Sequence, residues 1–512
     1  MRRMCLVLVV CLVAGALVFT GCPGGDRVRD GETFIIATIG GPRSLDPTLT
    51  KDSASSEIMK QVFNTLFLLD FDTMEPYPSL AESFAFENDG DGNPTLLRIF
   101  LRRGVLFHNG DELRASDVKF SLDRAMVSPY ISHIAGMIQG TEALGGHEVL
   151  IAMRAPFVPI LHNLAHTALS IVSERAVREM GDGFAQNPVG TGPMRFVNWV
   201  VGNRIELTRW DDYWGPSPRI RDITIRYIAD DATRLLELET GGVDMILGIP
   251  PQDIPRIEAH PDLQMLRRPN LSLNFIGFNM QRPPFDDLRV RQAITHAIDM
   301  DALVSTVFMG VGAPGRGPIS STVWASAVDI LPQLEFDPGR ARELLVEAGF
   351  PGGFSTTIVT NDNAQRIDTA VIVQNMLAQV GIVVEIGIIE WAAYLDMLDR
   401  GDHEMYILGW VTVTGDPDYG LEIFHSRSFG PGGNHARFSD PEVDRLLDAA
   451  RQETDPAIRY QMYIEVQQLV HAAAPWIYTL EGETLIAARR NLRGFEINPA
   501  GHHPFWTVWF DD

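Results

Sequence analysis

The sequence predicts an α/β protein. Strand-like and helix-like segments alternate between residues 356 and 410, two helix starts are marked by Asp-Pro pairs, and a hairpin signature surrounds Gly202-Asn203. Alternation of this kind argues for a mainly parallel sheet with helices packed on it.

The elements follow in chain order. Phe34–Ile39 reads as a strand closed by Gly40-Gly41-Pro42. Ile58–Leu66 places Met59, Val62, Phe63 and Leu66 on one helical face, and Leu96–Leu101 reads as a strand. Met194–Trp199 and Arg204–Arg209 flank the Gly202-Asn203 turn as a hairpin. Val290, Ala293, Ile294, Ala297 and Ile298 form a helical stripe. Asp337-Pro338 supplies an N-cap with Pro at the first helical position, and Gly349 closes that helix. A strand near Thr357–Val359 leads to a helix ending at Gly381. A strand Ile382–Ile389, a helix Trp391–Asp399 and a strand Met405–Leu408 come next. Asp440-Pro441 repeats the capping device, with Val443, Leu446, Leu447 and Ala450 facing a core. Ligand crevices in such sheets lie beyond the carboxyl ends of the strands, which places Gly409-Trp410 and the loop after it at a binding mouth.

Composition narrows the function. At 512 residues the chain has room for two to four domains of roughly 150 residues each. A formal charge of −24 argues against nucleic acid as a partner. The sequence holds no His-Glu-x-x-His helix, phosphate loop or Gly-x-Ser-x-Gly elbow. Gly310, Gly312 and Gly315 fit a dinucleotide spacing but follow a helix rather than a strand, and read as a loop. His162 and His166 share a helical spacing without a third ligand nearby, so they read as structural, as does His502-His503. Asp211-Asp212 and Asp230-Asp231 sit beside turns, where Asp is favoured. Without a nucleophile–base constellation, metal site or cofactor motif, the expectation is binding without chemistry and with no cofactor.

The N-terminus predicts export. Met1-Arg2-Arg3 precedes an apolar run from Met4 to Phe19, the layout of a secretory signal and too short for a span of about 20 apolar residues. Thr20-Gly21-Cys22 then resembles a lipobox, although Phe19 stands where Leu is usual. Residues 1–21 are expected to be removed, Cys22 to carry lipid, and 22–29 to form a tether. Of three cysteines, Cys5 and Cys11 lie in the leader, so a mature chain has none to pair with Cys22.

Several segments together resemble one family. They are Ser44-Leu45-Asp46-Pro47; Pro78-Ser79-Leu80-Ala81-Glu82-Ser83; Leu101-Arg102-Arg103-Gly104-Val105-Leu106-Phe107-His108-Asn109-Gly110 with Ala115-Ser116-Asp117-Val118; Asn187-Pro188-Val189-Gly190-Thr191-Gly192-Pro193; Phe278-Asn279 with Pro284-Phe285 and Arg289-Val290-Arg291-Gln292-Ala293; and Gly409-Trp410. In this order, from about Phe34 to Tyr478, they are similar to family 5 of the extracytoplasmic solute-binding proteins, which serve peptide and nickel ABC importers. The resemblance implies a two-lobed periplasmic-binding-protein fold, class II-like and type C. Lobe 1 would comprise 30–275 plus 482–512, with an extra α/β subdomain at about 72–190. Lobe 2 would comprise 276–481. It also implies a monomer outside the cytoplasm, in the periplasm or on the outer face of the cell membrane. Its partners would be a small peptide or similar solute and the permease subunits, with the membrane reached only through the lipid anchor.

In peptide-binding relatives an acidic residue three positions after the Trp of Gly-Trp pairs with the peptide amine. Here that position is Val413, and Asp416 and Asp418 are the nearest acidic replacements. Asp416 is the candidate partner of a ligand amine, its alternative role being to start the turn before Pro417. Trp410 and Tyr419 would cover the apolar part of the ligand. Arg366, alternatively a surface arginine at a helix start, would fork onto a carboxylate, and Ser44 is a further candidate contact. Two other ligands of the same fold remain: a nickel chelate or metallophore, and an oligosaccharide stacked on Trp391, Trp410 or Trp476.

Overall fold

The structure is a computed structural model that describes residues 32–50, 52–430 and 433–511. The leader, Cys22 and the 22–29 tether lie outside the described residues. Among the described residues an 11-stranded sheet runs through the molecule. Its order from one edge is Val383–Ile389, Ser355–Asn361, Met405–Val411, Leu263–Phe278, Trp476–Arg489, Met245–Leu247, Thr33–Thr38, Asp222–Tyr227, Arg204–Arg209 and Met194–Val200. The two-residue strand Ala313–Pro314 also pairs with Trp476–Arg489.

The alternating segment forms the expected parallel part: Ser355–Asn361 is parallel to both neighbours, as is Thr33–Thr38 on the far side. The sheet as a whole is mixed rather than mainly parallel. Its centre is an antiparallel pair of long strands, Leu263–Phe278 and Trp476–Arg489, and one edge is the hairpin read from Gly202-Asn203.

Those two long strands carry the chain between the halves of the molecule. Their ladder breaks between Pro269 and Leu273, opposite Glu481–Glu483. Pro269 cannot donate to a ladder, and an irregularity of this kind bends a strand. On one side of the break the core gathers Phe34, Ile36, Met59, Val62, Leu207 and Ile225 with an antiparallel sheet of Ala81–Glu87, Leu96–Leu101, Glu148–Met153 and Ile138–Ala143. On the other side the sheet is covered on both faces. Tyr406, Leu408, Val443 and Leu447 share one cluster; Met405, Ile407, Val290 and Ile294 share the other. Burial on both faces explains the continuous apolar run from Met405 to Leu408.

The capping signals form as read. Asp337 accepts the Arg340 N–H at 2.9 Å to start the helix Pro338–Glu347. Asp440 accepts from Glu442 at 2.8 Å and from Val443 to start Pro441–Ala450. This second helix lays Val443, Leu446, Leu447 and Ala450 on the core, each large side chain contributing about 1.5–3 kcal/mol on burial. Its packing brings the end near Arg451 up to the turn that follows Trp410.

Candidate functional site

Strand Met405–Val411 ends at Gly409-Trp410, and the chain then turns through Val413 and Thr414 into the short helix Pro417–Leu421. A cavity of about 830 Å³ opens there. One wall comes from the first half of the chain, at Met137, Phe157, Pro159 and Asn163; the other is Trp410, Tyr419 and the charged residues beside them. The Trp410 and Tyr419 rings stack at 5.5 Å and 19°. Trp410 Nε1–H is buried and has no acceptor among the described residues.

The charged part of the lining holds three carboxylates, Asp418, Glu422 and Asp448, and two guanidiniums, Arg427 and Arg451. Arg451 Nε donates to Asp418 at 2.7 Å and its Nη2 bonds Glu422. Arg427 bridges Glu422 at 2.9 Å and Asp448 at 2.8 Å. Burial pushes the Asp418 carboxyl up to about 6, against the opposing pull of Arg451. The Val158 N–H donates to the Arg451 carbonyl at 2.8 Å, tying the two walls together.

The residues singled out from the sequence fall into different places. Trp410 and Tyr419 meet in the cavity. Asp416 lies behind its wall, 1% exposed, where its Oδ1 accepts from Arg459 Nη2 at 2.7 Å and from the Asp418 N–H at 2.9 Å. Its Oδ2 stands 3.4 Å from His162 Nδ1, which comes from the opposite wall. Burial works to raise the Asp416 pKa, but the Arg459 charge and His162 prevail and hold it below the ordinary carboxylate range. Asp416 therefore caps the helix Pro417–Leu421 and joins a buried ion pair.

Arg366 sits on the other side of the same strand end. Its Nη1 donates to Asn361 at 2.9 Å, and its guanidinium lies 5.6 Å from the ring of Trp391. Among the described residues no ion pair includes it, while burial works against its charge. Gly409 makes room here: a Cβ at that position would come within 2.9 Å of Asn274 Oδ1 and 3.6 Å of Arg366 Nη2. Ser44 stands apart, its hydroxyl accepting the Asp46 N–H at 3.1 Å in a local turn. Of the three tryptophans, Trp391 is exposed beside Arg366. Trp476 is buried, stacked on Phe275 at 3.5 Å, and offers no platform.

Glu422, Arg427, Asp448 and Arg451 carry no motif in the sequence. Only the packing of Pro441–Ala450 against residues 417–424 brings them together. Among the described residues no group of three or more His, Cys, Asp or Glu is placed to hold a metal ion.

Comparison with known proteins agrees with this architecture. Residues 75–431 match the family model described as bacterial extracellular solute-binding proteins, family 5 Middle. The glutathione-binding protein GsiB of Pectobacterium atrosepticum is 33% identical over 470 residues, 89% of this chain and 90% of that one. The periplasmic binding protein DppA of Helicobacter pylori, solved in complex with peptide STSA, superposes with a TM-score of 0.78 at 29% identity. That match covers 94% of this chain and 98% of DppA. HbpA2 of Haemophilus parasuis gives a TM-score of 0.85 at 27% identity, over 94% of this chain and all of the other. The chain shares the two-lobed fold of these binding proteins and belongs to the bacterial extracellular solute-binding proteins of family 5.

Proposed function

We propose that this protein captures a small peptide between two closing lobes and hands it, chemically unchanged, to the permease of an ABC importer. The observation that carries the reading is the cavity at Trp410 and Tyr419, walled by both halves of the chain. Its volume suits a small ligand, and its stacked rings suit an apolar side chain. Three carboxylates against two guanidiniums leave one negative charge to receive an ammonium group, with Asp418 and Glu422 as the partners. Asp416 holds the turn that presents Asp418. Arg366 is the anchor for a carboxylate, because a half-buried guanidinium without an anionic partner gains two aligned hydrogen bonds on meeting one. The names of the relatives, one glutathione-binding and one solved with a tetrapeptide, favour the same class of ligand.

In this reading lobe 1 comprises 30–275 and 482–512, with the extra subdomain near 72–190, and lobe 2 comprises 276–481. They rotate about the irregular ladder at Pro269–Leu273. The ligand stabilises the closed state by touching both lobes. The protein acts as a monomer without catalysis, held outside the cytoplasm by lipid on Cys22. Stable anchoring by acyl chains follows from about 0.8 kcal/mol per buried CH₂.

Native mass spectrometry of protein purified without denaturation tests the function. A retained mass matching a peptide is the expected result. A retained transition metal or oligosaccharide would move the assignment to another ligand class of the fold, and turnover of a peptide library by the pure protein would overturn binding without chemistry.

A further inference from the structure

The turn after Trp410 is gripped from outside the cavity. In the first half of the chain Phe67–Leu69 pairs antiparallel with Pro76–Pro78, and the loop between them is tightly hydrogen-bonded. Asp70 Oδ1 accepts the Asp72 N–H at 3.0 Å and the Thr73 N–H at 2.8 Å, and the Met74 N–H donates to the Asp70 carbonyl at 2.8 Å. Met74 is thereby held at φ 58, a left-handed conformation uncommon outside glycine. Arg268, just before the ladder break at Pro269, donates to Asp72 Oδ1 at 2.7 Å and to the Phe71 carbonyl. The loop is fastened to its own half.

Its Met74 side chain nevertheless crosses to the other half. Met74 is 1% exposed and joins the cluster of Leu408, Leu421 and Ile423, whereas its neighbours Phe67 and Leu80 belong to the first-half core. It meets Gly415. A Cβ there would stand 2.7 Å from Met74 Cε, 3.3 Å from Met74 Cβ and 3.4 Å from Leu69 Cδ1. Gly415 has φ 73, so both the backbone and the space call for glycine. The next residue, Asp416, faces His162 at 3.4 Å. Met74, His162, Gly415 and Asp416 all lie outside the cavity lining.

The two contacts pull in opposite directions. Parting the halves would expose the thioether of Met74, so the apolar contact favours a shut cleft. His162 Nδ1 and Nε2 and Asp416 Oδ2 are buried without a well-formed hydrogen bond, a cost that water removes when the cleft opens. An apolar plug beside an under-bonded polar pair gives open and shut forms of similar free energy.

We infer that Met74 and Gly415 form a catch by which the cleft shuts on the chain's own contacts, so that the closed form is populated before a solute arrives. The inference rests on the two-lobe reading and deepens it: Met74 sets affinity without touching the solute, which supplies only the remainder of the closing free energy.

The test uses the full chain after retained solute has been dialysed away. Under dilute hydrogen peroxide, with oxidation read residue by residue in a mass spectrometer, Met74 should oxidise about two- to tenfold more slowly than Met309, which is 57% exposed. It should oxidise faster than Met59, which is fully buried. A rate equal to that of Met309 would mean that the contact is not made, and a rate equal to that of Met59 that the halves never part there; either overturns the catch. A double variant reads the contact directly. Met74→Cys with Gly415→Cys places two Cβ atoms 3.3 Å apart, near the separation of about 3.5–4.5 Å that a disulfide spans. In a variant with the circular dichroism of the parent chain, mild oxidation should join the two thiols, as found by peptide mapping. The oxidised form should have a smaller radius of gyration than the same protein after reduction. No disulfide, or a disulfide with unchanged scattering, would overturn the inference. Neither measurement contains a peptide, so failure here is distinct from a failure of solute capture.

Discussion

Two charged regions flank the cleft, and they differ in how far their charges are matched. Behind Trp410, Asp416 meets Arg459 at 2.7 Å, outside the cavity lining. Beside Trp391, Arg366 has no such partner among the described residues. The difference separates scaffold from site. In the proposed reading a matched buried pair fixes the shape of the Trp410 turn, whereas the guanidinium of Arg366 is left to meet the ligand.

The largest effect should come from breaking the matched side. Arg459→Met leaves the Asp416 carboxylate buried without its cation, and about 3–5 kcal/mol of stability should be lost in urea denaturation. A loss below about 1 kcal/mol would show that the pair is no scaffold. Next in size is the ring platform. Trp410→Ala should weaken peptide binding about 30-fold, roughly 2 kcal/mol, in calorimetry with the circular dichroism spectrum unchanged. Arg366→Met sharpens the comparison from the unmatched side. It should cost about tenfold for a peptide with a free C-terminal carboxylate and nothing for the C-terminal amide.

Acid provides a smaller, graded test of the scaffold. Burial holds His108, His403 and His435 at about 4, below the ordinary value near 6.5. The unfolded chain therefore takes up protons first as pH falls. Their contribution is present above pH 6.5, and it is lost progressively from there down to about pH 4. Unfolding free energies from urea titrations at pH 7 and at pH 5.5 should differ by about 1 kcal/mol per histidine, lower at pH 5.5. A flat profile would mean that these rings take up protons as readily when folded. Smallest of all, Arg445→Ala removes an exposed partner of Glu442 and should leave the denaturation midpoint unmoved.

The same contrast explains what was legible in the sequence. The parallel segment 356–410, the hairpin at Gly202-Asn203 and the two Asp-Pro helix starts are local patterns, and each forms where it reads. The antiparallel centre was not legible, because Leu263–Phe278 and Trp476–Arg489 pair across some two hundred residues without a turn signal between them. At the site, Trp410 followed from the strand end, and Tyr419 from the family resemblance of the segment after it. The partners of Asp416 did not, since Arg459 lies 43 residues on and His162 comes from the other half of the chain. Arg427 and Arg451 were missed for the same reason: side-chain charge has no period that marks which pairs will meet.

The central claim is that two lobes shut around a solute. Small-angle scattering of the protein alone and with saturating glutathione, or with whichever peptide native mass spectrometry identifies, tests it most directly. The account predicts a smaller radius of gyration in the bound state and a curve that differs in shape. Superimposable curves for a peptide that calorimetry shows to be bound would contradict it.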